Sequence, residues 1–216
     1  MTGAVAIVVM AKAPVPGLAK TRLIPALGRD GAAALAERLL RHTVAQACAA
    51  AVGPVDLCTT PDTTPHVTSD ARPAALHPAF QELAATGQVA LSQQGEGDLG
   101  QRMARAIDRH LARGRCVLLM GTDLPALDAA VLRHAAAALA THDAVVVPAL
   151  DGGYGLVGLR RPAPSLFEGI AWSTPQVMQQ TRERLAAAGL RHTELAPLAD
   201  IDEPADLAHL PPGWLA

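Results

Sequence analysis

Short apolar runs with the length of β-strands alternate along this chain with longer segments of helical periodicity. An unbroken apolar run predicts a strand that is covered on both faces, because neither side of it would face water. The alternation of strands and helices in turn predicts a mostly parallel sheet with helices on both faces. The predicted strands are 4–10, 55–59, 88–92, 116–120, 144–147, 154–159 and 192–196.

The helices are predicted from their caps and from apolar residues spaced three and four positions apart. Asp98 followed by Gln101 is a capping box at the start of one helix. Ser173 or Thr174 is predicted to cap a later helix, with Pro175 in its first turn. The predicted helices are 30–51, 98–114, 128–140, 173–189 and a short one from 203, whereas 61–80 shows no clear period beyond room for a short helix.

Composition places the chain among globular proteins. With 216 residues, half of them hydrophobic, it is long enough to form one domain over 1–216 with a large core. A net charge of −2 supplies no basic surface for nucleic acid or for an anionic membrane. No stretch approaches the roughly 20 apolar residues of a membrane span, and the first apolar run is too short for a secretory signal. Three cysteines without metal-ligand spacing fit reduced thiols, so we expect a soluble, cytoplasmic protein.

The segment that follows the first strand, residues 12–22, is called the cationic loop here. Its cations Lys12, Lys20 and Arg22 can converge on a compact, highly charged anion such as a phosphate chain. Its prolines stiffen the loop, and Gly17 lets the backbone approach a ligand closely. The loop is therefore predicted to hold the phosphates of a nucleotide, and a surface loop with solvated charges is the alternative.

Two carboxylates are candidates for a magnesium site. Asp123 directly follows the central strand, and Asp202 ends the sequence Asp200-Ile201-Asp202, whose acidic side chains point the same way if the segment is extended. Mg²⁺ is a hard cation that prefers carboxylate and phosphate oxygens. Ligands in such sheets bind beyond the carboxyl ends of the strands, so Asp123 is expected at the same rim as the cationic loop. The alternatives are a turn or helix cap for Asp123, and a cap of the helix at Pro204 for Asp202.

A glycine-rich turn after the strand at 144–147 is expected at the same rim. Asp151-Gly152-Gly153-Tyr154 would let the backbone approach an acceptor, and Asp151 would be the base for a hydroxyl acceptor. A plain hairpin turn is the competing interpretation, because Asp-Gly is its strongest signal, and both can hold together. Asp98 would bind a ribose, base or acceptor unless it only caps its helix, and Trp172 would wall a substrate pocket unless it packs in the core.

Several common sites are absent from the sequence. The eight histidines form no ligand pair such as His-x-x-x-His, and no Gly-x-Ser-x-Gly elbow occurs, which argues against a zinc site and a serine hydrolase. The Gly-x-x-x-x-Gly-Lys-Ser/Thr loop and a Gly-x-Gly-x-x-Gly after the first strand are also missing. An ordinary P-loop ATPase or dinucleotide enzyme is therefore not expected.

Five motifs, in their order and spacing, resemble a family of GT-A-fold transferases described as glycosyltransferases of the radical-SAM-associated transferase 1 type. The resemblance covers nearly the whole chain. That family is similar to 2-phospholactate guanylyltransferase, chiefly through Lys20–Leu23, and more distantly to molybdenum-cofactor guanylyltransferase. The Leu-Ala-Gly-Gly opening of many sugar-nucleotide pyrophosphorylases is replaced here. The motifs are Met10-Ala11-Lys12-Ala13-Pro14, Lys20-Thr21-Arg22-Leu23, Gly121-Thr122-Asp123-Leu124-Pro125, Asp151-Gly152-Gly153-Tyr154 and Asp200-Ile201-Asp202.

The resemblance implies a GT-A-like three-layer α/β/α sandwich with a mostly parallel mixed sheet. It implies a nucleotide between the cationic loop and the aspartates, with Asp123 and Asp202 carrying Mg²⁺, or Mn²⁺ in its place. A small-molecule acceptor is the other expected partner, and a homodimer stays open. The assigned catalytic residues are Lys20, Arg22, Asp123 and Asp151. The assigned nucleotide-binding residues are Ala11, Lys12, Ala13, Pro14, Lys20, Arg22, Asp98 and Thr122, and the acceptor-binding residues are Gly152, Gly153, Tyr154 and Trp172.

The predicted reaction is Mg²⁺-dependent transfer from a nucleotide. In its first version a phosphate or phosphonate of a small acceptor attacks the α-phosphorus of an NTP and pyrophosphate leaves, so positioning and charge neutralisation suffice. In the second version, that of a glycosyltransferase, a sugar is transferred to the acceptor and a nucleoside diphosphate is the leaving group. Three cations suit a triphosphate better than a diphosphate and favour the first version. A non-catalytic nucleotide sensor, which would not need two metal carboxylates, is a further alternative.

Overall fold

The computed structural model describes residues 4–60 and 76–215. Its strands form one seven-stranded sheet in the order β3-β2-β1-β4-β6-β5-β7. All neighbouring strands are parallel except β6, which lies antiparallel between β4 and β5. The predicted α/β fold class, with a mostly parallel mixed sheet, is confirmed. The strands are β1 (Val5–Ala11), β2 (Val55–Thr59), β3 (Val89–Gln93), β4 (Cys116–Met120), β5 (Ala144–Pro148), β6 (Tyr154–Leu159) and β7 (His192–Glu194).

Helices cover both faces of the sheet and complete the three layers. They are α1 (Ile24–Ala50), α2 (Pro78–Ala85), α3 (Leu99–Leu111), α4 (Ala129–Ala138) and α5 (Val177–Ala187). Apolar side chains of α1, α2 and α4 pack on one face, and those of α3 and α5 pack on the other. Successive strand residues serve opposite faces: Ile7 and Val9 join the first cluster and Val8 the second, as the alternation of side chains along a strand requires. None of the helices in the described ranges is both long and apolar enough to cross a membrane.

One predicted helix start is confirmed and another is wrong. Helical residues begin at Ile24, but Gly28, with φ 72° and ψ 172°, is non-helical, and the long uninterrupted helix follows it, in agreement with the predicted start near Asp30. The last long helix begins at Val177, and neither Ser173 nor Thr174 caps it. The Thr174 hydroxyl donates instead to the carbonyl of Ala171 at 2.7 Å, in a turn that precedes the helix. A residue before proline is disfavoured in the helical region, which moves the start beyond Pro175.

The segment 61–80, whose sequence shows no clear helical or strand period, contains the start of a short helix. Helix α2 runs from Pro78 to Ala85, with His77 at its N-cap and Phe80 fully buried against the sheet. The remainder of the prediction for 61–80, from 61 to 75, lies outside the described residues.

Candidate functional site

The cationic loop and the turn after β4 meet at one rim of the sheet. Strands β1 and β4 pair in parallel, with Val9 opposite Met120, so their carboxyl ends are neighbours. Together they line a cavity of about 540 Å³, called the first chamber here. The expectation that the cationic loop and Asp123 share a rim is confirmed. Polar and charged side chains of the first chamber are Lys12, Lys20, Thr21, Arg22, Thr60, Gln94, Thr122, Asp123, Tyr154 and Asp202.

Lys20 is at the centre of this site. Its Nζ lies 2.5 Å from Asp123 Oδ1 and 3.8 Å from Asp202 Oδ1, and it donates to the carbonyl of Ile201 at 2.5 Å. Its side chain is 8% exposed, whereas the side chains of Asp123 and Asp202 are 45% and 40% exposed. The Lys20 backbone has φ 46° and ψ 46°, a left-handed conformation that is uncommon outside glycine. One ammonium group therefore lies between two carboxylates that are far apart in sequence.

The helix-cap alternatives for the two aspartates are excluded by their neighbours. Asp202 Oδ2 accepts a hydrogen bond from Arg22 Nη1 at 2.5 Å, while the cap of the terminal 3₁₀ helix is Glu203. The cap of α4 is Asp128 rather than Asp123. A backbone hydrogen bond from Ile201 to Asp123 holds the two segments together at 2.9 Å. Both aspartates therefore face the first chamber and neither caps a helix.

A second chamber of about 720 Å³ adjoins the first. It shares Arg22, Asp123, Tyr154 and Asp202 with the first chamber and extends between the β5–β6 turn and the C-terminal segment. The lining is strongly acidic, because six carboxylates contribute to it. Its charged and aromatic lining residues are Arg22, Asp123, Asp151, Tyr154, Trp172, Asp200, Asp202, Glu203, Asp206 and His209.

The glycine-rich turn is both a hairpin turn and part of this chamber. Asp151 Oδ1 accepts the backbone N–H of Gly153 at 2.8 Å, and the turn joins antiparallel β5 and β6. Gly152 has φ 91°, and a Cβ placed there would lie 2.5 Å from the carbonyl oxygen of Pro175. Only glycine fits this position, because both the conformation and the space exclude a side chain. The two competing interpretations of the turn hold together.

Several carboxylates lie close to one another in the second chamber. Burial raises the pKa of Asp200, and the neighbouring carboxylates of Asp151, Asp206 and Asp202 raise it further. Burial also raises the pKa of the Tyr154 phenol, whose hydroxyl has no hydrogen-bond partner among the described residues. Tyr154 meets Trp172 edge to face, with ring centroids 6.3 Å apart. The chamber thus combines acidic groups with an aromatic pair.

Some residues assigned from the sequence are not brought to either chamber. Ala13 is buried in the core, and Pro14 is buried without lining a chamber. Asp98 accepts the backbone N–H of Gln101 at 2.8 Å, as the capping interpretation predicts. Gly152 lies behind Gly153 and Tyr154, which do line the second chamber together with Trp172.

Glu203, Asp206 and Gln94 are among the lining residues that sequence reasoning missed. Glu203 and Asp206 form a capping box across the start of the terminal 3₁₀ helix, and this Glu-x-x-Asp spacing was a readable signal. Gln94 is 5% exposed, and its amide donates to the carbonyls of Ala11 and Cys58. No pattern in the sequence marks Gln94, because its role depends on strands that are distant along the chain.

Comparison with protein families and known structures gives a consistent result. A family described as "Uncharacterized protein conserved in bacteria (DUF2064)" matches residues 43–174. No curated protein matches the chain. A protein from Desulfovibrio desulfuricans G20, provisionally described as a nucleotide-diphospho-sugar transferase, is 30% identical with a TM-score of 0.80. That comparison covers 95% of this chain and 85% of the other.

More distant structures share the fold. A nucleotidyl transferase from Methanothermobacter thermautotroptrophicus is 17% identical with a TM-score of 0.58, over 98% of this chain and 97% of that one. The 4-diphosphocytidyl-2C-methyl-D-erythritol synthase from Anaerococcus prevotii DSM 20548 is 8% identical with a TM-score of 0.61, over 96% of both chains. The resemblance to GT-A-like transferases is confirmed.

Proposed function

We propose that this chain, which belongs to the DUF2064 family of bacterial proteins, is a Mg²⁺-dependent transferase that moves a nucleotidyl group from an NTP to a small acceptor. The observation that carries the proposal is the position of Lys20 between Asp123 and Asp202, with Arg22 beside them. Cations and carboxylates gathered at one rim are what binding of a metal–nucleotide complex requires. The first chamber would hold the nucleotide and the second the acceptor.

Asp123 and Asp202 would hold the metal. Their donors fit a hard divalent cation, because both carboxylates already approach one ammonium group. No cluster of three or more His, Cys, Asp or Glu side chains suited to a metal occurs within 4–60 and 76–215, so phosphate oxygens and water would supply the other ligands. That division is usual for Mg²⁺. When bound, Mg²⁺ would neutralise and orient the phosphate chain.

The chain's own cations would position the phosphates. Lys12 extends from the exposed side of the loop, where its Nζ donates to the carbonyl of Leu18 at 3.0 Å, and Arg22 flanks Asp202. Together with Lys20 they would hold the leaving pyrophosphate. An oxygen of the acceptor's phosphate or phosphonate attacks the α-phosphorus, and the bond from that phosphorus to pyrophosphate breaks. This nucleophile is already anionic, so alignment and charge neutralisation are the protein's contributions.

Glycosyl transfer from a nucleotide-diphospho-sugar is the second candidate. The Desulfovibrio protein at 30% identity, provisionally described as such a transferase, favours it. A hydroxyl acceptor would need a base, and Asp151 lines the second chamber. In this version the cationic loop would hold a departing nucleoside diphosphate.

Product analysis distinguishes the two candidates. The protein is incubated with Mg²⁺ and each NTP, together with a panel of phosphorylated and phosphonate acids, and pyrophosphate release is measured. A parallel panel of nucleotide-diphospho-sugars is assayed for release of nucleoside diphosphate. Pyrophosphate release that depends on an acceptor supports nucleotidyl transfer. Turnover of nucleotide-sugars alone would refute it.

A matched pair of variants controls this experiment. Asp123→Asn should reduce turnover by roughly 10²–10³-fold, because it removes charge where the metal and phosphates would bind. Asp128→Asn makes the same chemical change at the cap of α4, where asparagine caps equally well, and should retain full turnover. A non-catalytic sensor would instead bind nucleotide without Mg²⁺ and would tolerate Asp123→Asn.

A further inference from the structure

The second chamber has a charge pattern that the transfer reaction alone does not explain. Asp123 and Asp202 are engaged by Lys20 and Arg22. Within the described residues, the other four carboxylates of the lining, Asp151, Asp200, Glu203 and Asp206, form no ion pair with a basic side chain. Their hydrogen bonds are with backbone: Asp206 Oδ2, for example, accepts the N–H groups of residues 202 and 203 at 3.0 and 2.6 Å. Unpaired acidic groups around a cavity favour a positively charged occupant.

The aromatic pair gives an independent indication of the same occupant. Tyr154 and Trp172 are two of only five Phe, Tyr and Trp residues in the chain, and both line this chamber. Tyr154 lines the chamber, whereas its hydroxyl is buried away from solvent. Aromatic rings beside carboxylates recognise organic ammonium groups through cation–π attraction and charge.

We propose that the second chamber binds an acceptor that carries an ammonium group, with the four unpaired carboxylates and the Tyr154–Trp172 pair around that group. This inference rests on the proposed function, because it assigns the acceptor of that same site. A protonated amine has no free electron pair, so the ammonium group is held while another atom of the acceptor reacts.

The reacting end of the acceptor follows from the opposite side of the chamber. Arg22 and His209 are the basic residues of the lining, and Arg22 lies at the junction with the first chamber. An anionic phosphate or phosphonate is compatible with that junction, where the cations and the metal would gather. The acceptor is therefore a zwitterion, with its anionic end toward the nucleotide and its ammonium end among Asp151, Asp200, Glu203 and Asp206.

Two probes of equal size test the charge preference. Phosphoethanolamine and propyl phosphate carry the same phosphate on chains of equal length, and they differ only in a terminal ammonium or methyl group. Their dissociation constants are measured by titration calorimetry in the presence of Mg²⁺. Phosphoethanolamine should bind at least about tenfold tighter. Equal affinity, or tighter binding of propyl phosphate, would overturn the proposal.

Variants assign the preference to this chamber. Asp200→Asn and Glu203→Gln remove one charge each with little change in shape, and each should reduce the preference for phosphoethanolamine severalfold. Asp200→Asn is expected to fold, because it removes a carboxylate crowded by three others. Asp128→Asn, outside the chamber, should leave the preference unchanged. An undiminished preference in both chamber variants would refute the assignment.

Separate measurements distinguish failure of this inference from failure of the proposed function. Nucleotide binding is titrated with each NTP and Mg²⁺ in the absence of acceptor. If anionic acids support pyrophosphate release but the ammonium group gives no preference, the inference about the acceptor fails and the proposed function is retained. If phosphoethanolamine is preferred but no NTP binds, the proposed function fails and the ammonium preference is retained.

Discussion

In the free protein, the ammonium group of Lys20 has the position between two carboxylates that a divalent cation would have when a nucleotide is bound. Its ammonium group lies between Asp123 and Asp202, paired closely with Asp123 and 3.8 Å from Asp202, which Arg22 also contacts. A metal ion held by the same two carboxylates would compete with Lys20, whose ammonium group would then be available to phosphates. The backbone of Lys20 is left-handed, an uncommon conformation for a residue other than glycine.

Removing this lysine is expected to strengthen Mg²⁺ binding and to reduce turnover of the substrate. In Lys20→Met, Mg²⁺ should bind the free protein roughly tenfold tighter, because the competing ammonium is gone. Turnover should fall roughly 10²–10³-fold, because a charge on the phosphates is lost. Titration calorimetry with Mg²⁺ and the pyrophosphate assay measure the two effects.

The neighbouring lysine supplies the control. Lys12 contacts the carbonyl of Leu18 and neither aspartate, so Lys12→Met should leave Mg²⁺ affinity unchanged while turnover falls. Weaker Mg²⁺ binding in Lys20→Met would show that the lysine supports the metal site instead of competing for it.

At the scale of the element, the β5–β6 turn is fixed by a close approach to the segment before α5. Gly152→Ala should lower the free energy of unfolding by about 2–3 kcal/mol, because it adds a Cβ 2.5 Å from the Pro175 carbonyl at a position with φ 91°. Denaturant unfolding measures this loss, and acceptor binding should weaken with it.

A second glycine separates the cost of the close contact from the cost of the backbone conformation. Gly114 has φ 70°, but a Cβ there would meet no atom within 4 Å, so Gly114→Ala carries the backbone penalty alone. Gly114→Ala should lose only about 1 kcal/mol. Equal losses in the two variants would mean that the contact with Pro175 is unimportant.

Local signals predicted an element well where a side chain and its partner are close in sequence. The Asp98–Gln101 capping box is present with both of its hydrogen bonds, because three positions suffice to define it. Ser173 has the right chemistry for a cap but adopts φ 61°, and tertiary contacts decide the start of that helix instead. The kink at Gly28 was equally invisible, since glycine inside a helix permits several conformations.

At the scale of the whole molecule, one buried polar pair ties the sheet to a helix. His110 Nε2 of α3 lies 2.9 Å from Asp56 Oδ2 of β2, and both residues are at least 95% buried. Burial alone would raise the pKa of Asp56, but the hydrogen bond with His110 and the charge of Arg109 reverse that effect and lower it. The carboxylate is thus more acidic in the folded chain than its ordinary value of 3.8.

This depressed pKa contributes stability that is complete above about pH 4 and is lost as the pH falls below it. Asp56→Asn should be less stable at neutral pH by about 3 kcal/mol, and its stability should fall less steeply below pH 4 than that of the unmodified protein. Urea unfolding at pH 7, 5 and 3 measures both. Asp30→Asn changes an exposed carboxylate that forms no ion pair within the described residues and should follow the unmodified protein. Parallel curves for all three proteins would contradict the prediction.

The fold was more predictable than the site. Apolar strand runs and helical periods define the layers, because each element carries its own pattern. The meeting of the cationic loop with Asp123 followed from the parallel sheet, whose carboxyl ends share a rim. The acidity of the second chamber could not be predicted in this way. Asp151 comes from one hairpin, whereas Asp200, Glu203 and Asp206 come from the C-terminal segment.

The hydrogen bond from Lys20 to the carbonyl of Ile201 spans 181 positions of the chain. During translation, the loop after the first strand emerges before the segment that completes its surroundings, which follows 181 positions later. Domains fold from the N-terminus as they appear, yet a ribosome-bound fragment ending before residue 200 lacks one of the two aspartates. The surroundings of Lys20 are therefore complete only once the residues up to Asp202 have been polymerised and have left the exit tunnel.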